Sequence, residues 1–231
     1  KRDFFPNLVA RAAYRFEGKG VPDSDKDNDL VVLWKPSGLL SEASYNRVGE
    51  PDVVSLMAEK LGDAFVVHRL DEATSGVMMV ARNEKAQFEI KALLEKHEIE
   101  RRYLALVRGH PTEDVWHVEN QLVRDRGDGR RGSGEGADGK RARTQFKVLE
   151  RLASHVSLVE ATLETGRTHQ VRIHLSEAGH PILGDRLYGD KSSVQRAPRV
   201  ALHAAVLGLT HPISGEGLYF KAPLADDLEK V

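Results

Sequence analysis

The residues best suited to chemistry lie between His68 and Gly76, in the run HRLDEATSG. An imidazole, a guanidinium and a carboxylate (His68, Arg69, Asp71) fall within four positions, followed by the small turn residues Thr74-Ser75-Gly76. Phe65-Val66-Val67 leads in and Val77-Met78-Met79-Val80 leads out, which predicts two buried strands joined by a functional loop. Charged groups at the end of a buried strand are costly to desolvate, so they have either a partner or a task. Residue types and spacing leave two readings: an ion pair closing a strand turn, or a working carboxylate oriented by its neighbours.

A second dense patch is TGRTHQVRIHLSEAGHPILGD, residues 165–185. Arg167 and Thr168 stand where a helix should begin, and free N–H groups at such a terminus favour a phosphate or another anion. Arg172 lies among Val171, Ile173 and Leu175 and needs a carboxylate there. Asp71 is one candidate, held ionised by bidentate pairing. Glu164 or Glu177 at the surface is the other. His169, His174 and His180 cluster, but the first two are five residues apart rather than four and no HExxH motif accompanies them. No metal is therefore expected. The chain has no GK[ST] phosphate loop, no GxGxxG after a strand and no GxSxG elbow, so neither a nucleotide cofactor nor a serine nucleophile is expected.

The elements that must position these groups can be read in outline. The chain has 231 residues, 40% of them hydrophobic, enough to bury a core. Net charge is −1, yet residues 91–200 hold 20 Lys and Arg against 16 Asp and Glu, so a near-neutral chain can still present a basic face. There are no cysteines, which excludes disulfides and thiolate metal sites and fits a reducing compartment. No apolar run nears the ~18 residues of a membrane helix and no secretory segment appears, so a cytoplasmic protein is expected.

Residues 1–28 read as an N-terminal arm packing on a domain that spans 29–231. Leu30 to Trp34 is a strand stopped by Lys35-Pro36-Ser37-Gly38. Val53 to Leu61 is a helix ended by Gly62, and Asn83 caps a second one running to about His97. Strands are expected at 103–107, 116–123, 143–149, 156–163, 201–209 and 218–221, and a helix at about 169–178 ended by Gly179. Residues 124–140, with six glycines between 127 and 139, read as a flexible polar loop, either a solvated surface or a basic finger for phosphates. Strands outnumber helices without alternating with them, which predicts an α+β fold on a largely antiparallel sheet.

Five segments together carry a resemblance: VVLWKPSGLL (31–40), HRLDEATSG (68–76), RRYLALVRG (101–109), TGRTHQVRIHLSEAGHPILGD (165–185) and ALHA (201–204). The chain resembles the pseudouridine synthases, in the branch that modifies large-subunit ribosomal RNA and some transfer RNAs. The resemblance implies a mixed, mainly antiparallel central sheet flanked by helices, with an active-site cleft along its middle. It implies isomerisation of uridine within RNA: the C1′–N1 bond breaks, the base rotates and a C1′–C5 bond forms, without a cofactor.

By the same resemblance Asp71 is the catalytic carboxylate and Arg172 its partner. Tyr103 stacks on the uracil and Leu202 packs beside it. Arg69 fills the gap left by the flipped base, an extrusion that costs a few kcal/mol. His68, Arg101, Arg102, Lys140, Arg141, Arg143 and Arg167 are expected on the RNA side, the basic ones clamping phosphates. Many relatives carry an N-terminal S4 RNA-binding domain, which residues 1–28 do not contain, and no family role attaches to 124–140. The absence of an apolar dimer stripe predicts a monomer. An RNA-binding assembly factor without catalysis is the rival from another class, disfavoured by the intact Asp71, Tyr103 and Arg172. A glycosidase would need a second acid about 5–9 Å from Asp71.

Overall fold

The computed structural model describes residues 28–231 together with the backbone of Tyr14–Arg15. These two residues form strand β1; the rest of the expected N-terminal arm lies outside the described residues. The chain divides into two compact units: Lys1–Arg101 with Ala204–Ala225, and Arg102–His203 with Asp226–Val231.

The first unit is organised on β4 (Ser75–Ala81), whose seven residues are all buried. Burial on both faces explains why its sequence is continuously apolar rather than alternating. It pairs antiparallel with β2 (Leu30–Lys35) and with the two-residue β3 (Phe65–Val66). Helix α1 (Val53–Leu61) starts on Asp52, whose side chain accepts from the Ser55 N–H at 3.0 Å, and ends at Gly62, as expected. Helix α2 (Glu84–Glu95) is capped by Asn83, which accepts from the Ala86 N–H at 2.8 Å, and it buries Ala86 and Ile90. Later in the chain, Val206–Thr210 of β10 (Leu202–Thr210) pairs antiparallel with β11 (Gly217–Lys221).

The second unit is an antiparallel meander. Strand β5 (Glu100–Arg108) pairs with β9 (Val156–Leu163), β9 with the thirteen-residue β8 (Lys140–Leu152), and β8 with β6 (Val115–Val123). Along β8, Ala142, Thr144 and Phe146 are buried while Arg141, Arg143 and Gln145 are exposed, the period of two of a half-buried strand. Helix α3 (Gln170–Glu177) closes with Gly179 at φ +83°, the His180 N–H bonding Leu175 and the Gly179 N–H bonding Ser176. All six residues from Gln170 to Leu175 are buried, so the polar ones among them must find partners inside the fold. A short helix, α4 (Lys191–Val194), was not foreseen in the sequence.

The stretch at 124–140 departs from expectation. It contains a short strand, β7 (Gly132–Ser133), paired with Leu122 and Val123 of β6. Its aspartates do the ordering. Asp125 accepts the N–H groups of Gly127 and Gly129, both at 2.8 Å, and Asp138 accepts that of Arg124 at 3.0 Å. Local carboxylate-to-backbone bonds replace the apolar packing that the composition lacks.

Candidate active site

In the first unit the HRLDEATSG loop is tied down mostly through its backbone. The Lys35 side chain is fully buried, and its ammonium donates to the carbonyls of Pro36, Leu39 and Glu72 at 3.0, 2.7 and 3.0 Å. Three carbonyl dipoles thus satisfy the three donors of an ammonium that would otherwise be prohibitive to bury. Ser37 donates to the Ala73 carbonyl at 2.8 Å, and the Gly38 N–H to that of Glu72, also at 2.8 Å. Ser41 takes both polar groups of Leu70, donating to its carbonyl at 2.7 Å and accepting from its N–H at 3.0 Å. The Thr74 N–H closes a turn on the Asp71 carbonyl at 3.0 Å. The backbone on either side of Asp71 is thereby fixed, while the residue itself stays only half-buried.

His68 continues a sheet ladder with its side chain. Pairing of β3 with β4 stops at Val66–Val80, and the next N–H on β4, that of Met79, donates to His68 Nε2 at 3.0 Å. Such a ring must be neutral and protonated on Nδ1. Burial first, and the nearby Arg101 charge second, push the imidazole down to about 4. Arg69 is exposed and paired with Glu42 at 2.7 Å; Glu72 pairs with Arg47 at 2.6 Å. Gly76 is required: a Cβ there would sit 2.1 Å from the Ala204 carbonyl oxygen, and its φ is +120°.

In the second unit Arg172 is buried, and its Nε and Nη2 bond the two oxygens of Asp185 at 2.7 and 2.9 Å. Asp185 also accepts the N–H groups of Leu187 and Tyr188. Burial alone would raise the Asp185 pKa; the Arg172 bonds and charge with those two N–H groups outweigh it, and the carboxyl is held below its usual value. The Tyr188 ring lies under the guanidinium, 5.2 Å from centroid to Cζ. Sequence reasoning missed Asp185. The available signal was a lone acid after Ile182-Leu183-Gly184, thirteen residues beyond an arginine that needed a carboxylate.

The remaining predicted residues fall in different settings. Tyr103 is half-buried on β5, opposite Ala161 of β9, and Leu202 is buried in β10. Arg101 is buried, an interior charge close to His68. Arg102 meets Glu160 at 3.8 Å. Arg141 and Arg143 are exposed, but both pair with Glu119 and Glu164, so a phosphate would compete with two carboxylates there. Lys140 is exposed at the start of β8. Exposed Arg167 uses its Nε to hold the Arg141 carbonyl at 2.9 Å. The three histidines considered as metal ligands have other partners: His169 the Tyr188 hydroxyl, His174 Thr144 and Asn120, and His180 the Arg108 carbonyl. Among the described residues no group of three His, Asp or Glu could hold a metal ion.

The first unit thus presents a half-buried carboxylate from a fixed backbone, and the second buries a guanidinium on a bidentate carboxylate pair. Comparison with known proteins names the class. The family model for RNA pseudouridylate synthase matches residues 29–177. The chain belongs to the RNA pseudouridine synthase family, isomerases that convert uridine to pseudouridine in RNA. Within that family it is 40% identical over 197 residues to the dual-specificity RNA pseudouridine synthase RluA of Haemophilus influenzae, covering 85% of this chain and 90% of that one. It is 38% identical over 215 residues to the ribosomal large subunit pseudouridine synthase D of Nitrosomonas europaea, covering 88% of this chain and 62% of that one. Among solved structures it is similar to human RNA pseudouridylate synthase domain containing 1, with a TM-score of 0.71, 26% identity, and coverage of 94% and 83%. The mixed sheet with few helices is thus the architecture of a pseudouridine synthase domain. No helix among the described residues is long and apolar enough to cross a membrane.

Proposed function

We propose that this enzyme isomerises uridines in ribosomal or transfer RNA, with the Asp71 carboxylate acting on a base flipped into a central cleft. The supporting observation is the construction of the Asp71 loop, whose backbone is held by Lys35, Ser37 and Ser41 while the residue stays half-exposed. Arg172 partners Asp71 in this proposal. Tyr103 stacks on the uracil and Leu202 packs beside it. Arg69 occupies the gap in the RNA, exchanging its exposed bond to Glu42 for the nucleic acid. Arg102, Lys140 and Arg167 meet phosphates, so affinity falls steeply with salt. The C1′–N1 bond breaks and the C1′–C5 bond forms; C5 then gives up its proton while N1 takes one up, and no cofactor takes part. The enzyme works in the cytoplasm as a monomer.

Tritium release from RNA carrying 5-labelled uridine tests this directly. Asp71→Asn should abolish release while RNA affinity stays within about tenfold, ~1.4 kcal/mol. Retained turnover in this variant removes Asp71 from the chemistry.

A further inference from the structure

Seven side chains of the second unit form one continuous hydrogen-bonded path. The Thr165 hydroxyl bonds Gln170 Oε1 at 2.8 Å, and Gln170 Nε2 bonds Thr144 Oγ1 at 2.9 Å. Thr144 Oγ1 meets His174 Nδ1 at 2.9 Å, and His174 Nε2 meets Asn120 Oδ1 at 3.0 Å. Asn120 Nδ2 bonds the Ser133 hydroxyl at 2.6 Å, which in turn bonds the Glu177 carboxylate. Thr165, Gln170, Thr144 and His174 are buried, and Glu177 is exposed at the end of α3.

The direction of the bonds is set from the two ends, by backbone groups at Thr165 and Gln170 and by the Glu177 carboxylate at Ser133. The Arg167 N–H donates to Gln170 Oε1 at 2.9 Å, and Gln170 Nε2 donates to the Arg143 carbonyl at 3.0 Å, so the amide has one orientation. The Arg143 N–H donates to Thr165 Oγ1 at 2.8 Å, so that hydroxyl sends its proton to Gln170. Thr144 accepts from Gln170 and passes its own proton to His174 Nδ1. The imidazole is then a neutral ring carrying its proton on Nε2, donating to Asn120. Asn120 donates to Ser133, and Ser133 donates to a carboxylate, which can only accept. A path of aligned donors ending on a charge is self-reinforcing, and each member left unmatched in the interior carries a desolvation cost.

The path joins three things: the turn bearing Arg167, the interior of α3 bearing Arg172, and the glycine-rich segment 124–139, which Ser133 and an Arg130 bond to the Leu187 carbonyl fasten to the same region. We propose that Thr144 and His174 are positioning residues for the isomerisation: the path they complete sets how α3 presents Arg172 and registers that helix against the segment 124–139. This rests on the assignment of Arg172 to the reacting carboxylate. Burial supports the neutral ring, holding His174 at about 4 against the opposing pull of Glu177.

The test compares two replacements at Thr144 with the wild-type chain. Thr144→Val keeps the shape and deletes the hydroxyl; Thr144→Ser keeps the hydroxyl. With the tritium-release assay well below the melting temperature, Thr144→Val should lower kcat about tenfold or more with KM for a stem-loop RNA changed by less than about threefold. Thr144→Ser should return kcat to within about twofold of wild type. A role in stability alone would lower the melting temperature of Thr144→Val and leave kcat of the folded enzyme unchanged, and that result overturns the proposal. Nitrogen-15 NMR of the wild-type imidazoles gives an answer independent of activity, and it decides the matter if Thr144→Val does not fold. One ring should be neutral at pH 6 with its proton on Nε2 and should lose that signature in His174→Gln; a His174 proton on Nδ1 breaks the path and refutes the proposal. Activity in Asp71→Asn would instead overturn the assignment of the catalytic carboxylate, leaving the tautomer result standing.

Discussion

Mild acid should destabilise this protein by an amount that two imidazoles set. His68 accepts the Met79 N–H and His174 accepts from Thr144, and both rings are held at about 4 where a free ring titrates at 6.5. Between pH 6.5 and 4 the unfolded chain therefore binds protons that the folded chain refuses, so stability is full above the unfolded value and falls as pH falls. Integrating from pH 7.5 to pH 5 gives about 2 kcal/mol lost per ring. For the half-buried His68 this is an upper figure; His174 is fully buried. Carboxylates held below their usual values, Asp185 and Asp227 among them, lose their contribution only as pH falls from about 3.8 downward, so the window above pH 5 is nearly free of them. Urea unfolding followed by far-ultraviolet circular dichroism at pH 7.5, 6 and 5 measures the loss. If the two units melt in one transition the two losses add; if they melt separately, each carries its own, since His68 and His174 sit in different units. His174→Gln and His68→Gln should each remove their share of the pH dependence, and the double variant should be nearly flat over this window. A wild-type stability that changes by less than ~1 kcal/mol between pH 7.5 and 5 refutes the reasoning.

Two further outcomes follow from packing. Asp185→Asn leaves the buried Arg172 without its bidentate carboxylate but keeps an acceptor for Leu187 and Tyr188, so it should cost about 3 kcal/mol, the low end for breaking a buried pair; a loss below ~1 kcal/mol in urea unfolding would contradict the geometry. Gly76→Ala forces a Cβ onto the backbone of Ala204 at a φ of +120°, where no flexible side chain can yield, and should cost upward of about 3 kcal/mol or prevent accumulation of folded protein; near-wild-type thermal melting would contradict it.

Much of this fold is legible because its signals are local. Asp52 and Gly62 bound α1, Asn83 starts α2 and Gly179 ends α3, each through a cap that one or two residues create. The strands at 30–35, 115–123 and 156–163 carry their period or their apolar run within themselves. The segment 124–140 misleads because low hydrophobicity argues against packing, while order there comes from Asp125 and Asp138 bonding nearby N–H groups, a device that mean composition does not register.

The site is legible by residue type and much less by pairing. That Arg172 needs a carboxylate follows from its apolar neighbours; that Asp185 supplies one does not, because a turn ended by Gly179 and Pro181 brings it back along the helix. Lys35 illustrates the same limit. In the sequence it belongs to a turn with Pro36 and Gly38, and only the fold reveals an ammonium buried on three carbonyls, one of them 37 positions away. Arg101 looks like one more surface cation until β5 draws it inside beside His68. In each case the chain declares a charged group that cannot be left unmatched, and the matching partner is non-local. Such charges are where the cost of error is greatest, since one unmatched buried ion costs several kcal/mol while total stability is only about 5–15 kcal/mol. Lys35 bears on the Asp71 loop, Asp185 on Arg172, and the His174 path on α3 and the glycine-rich segment. The backbone of the Asp71 loop and the Arg172 guanidinium are thus each held by a buried polar contact that stability alone would make expensive to lose.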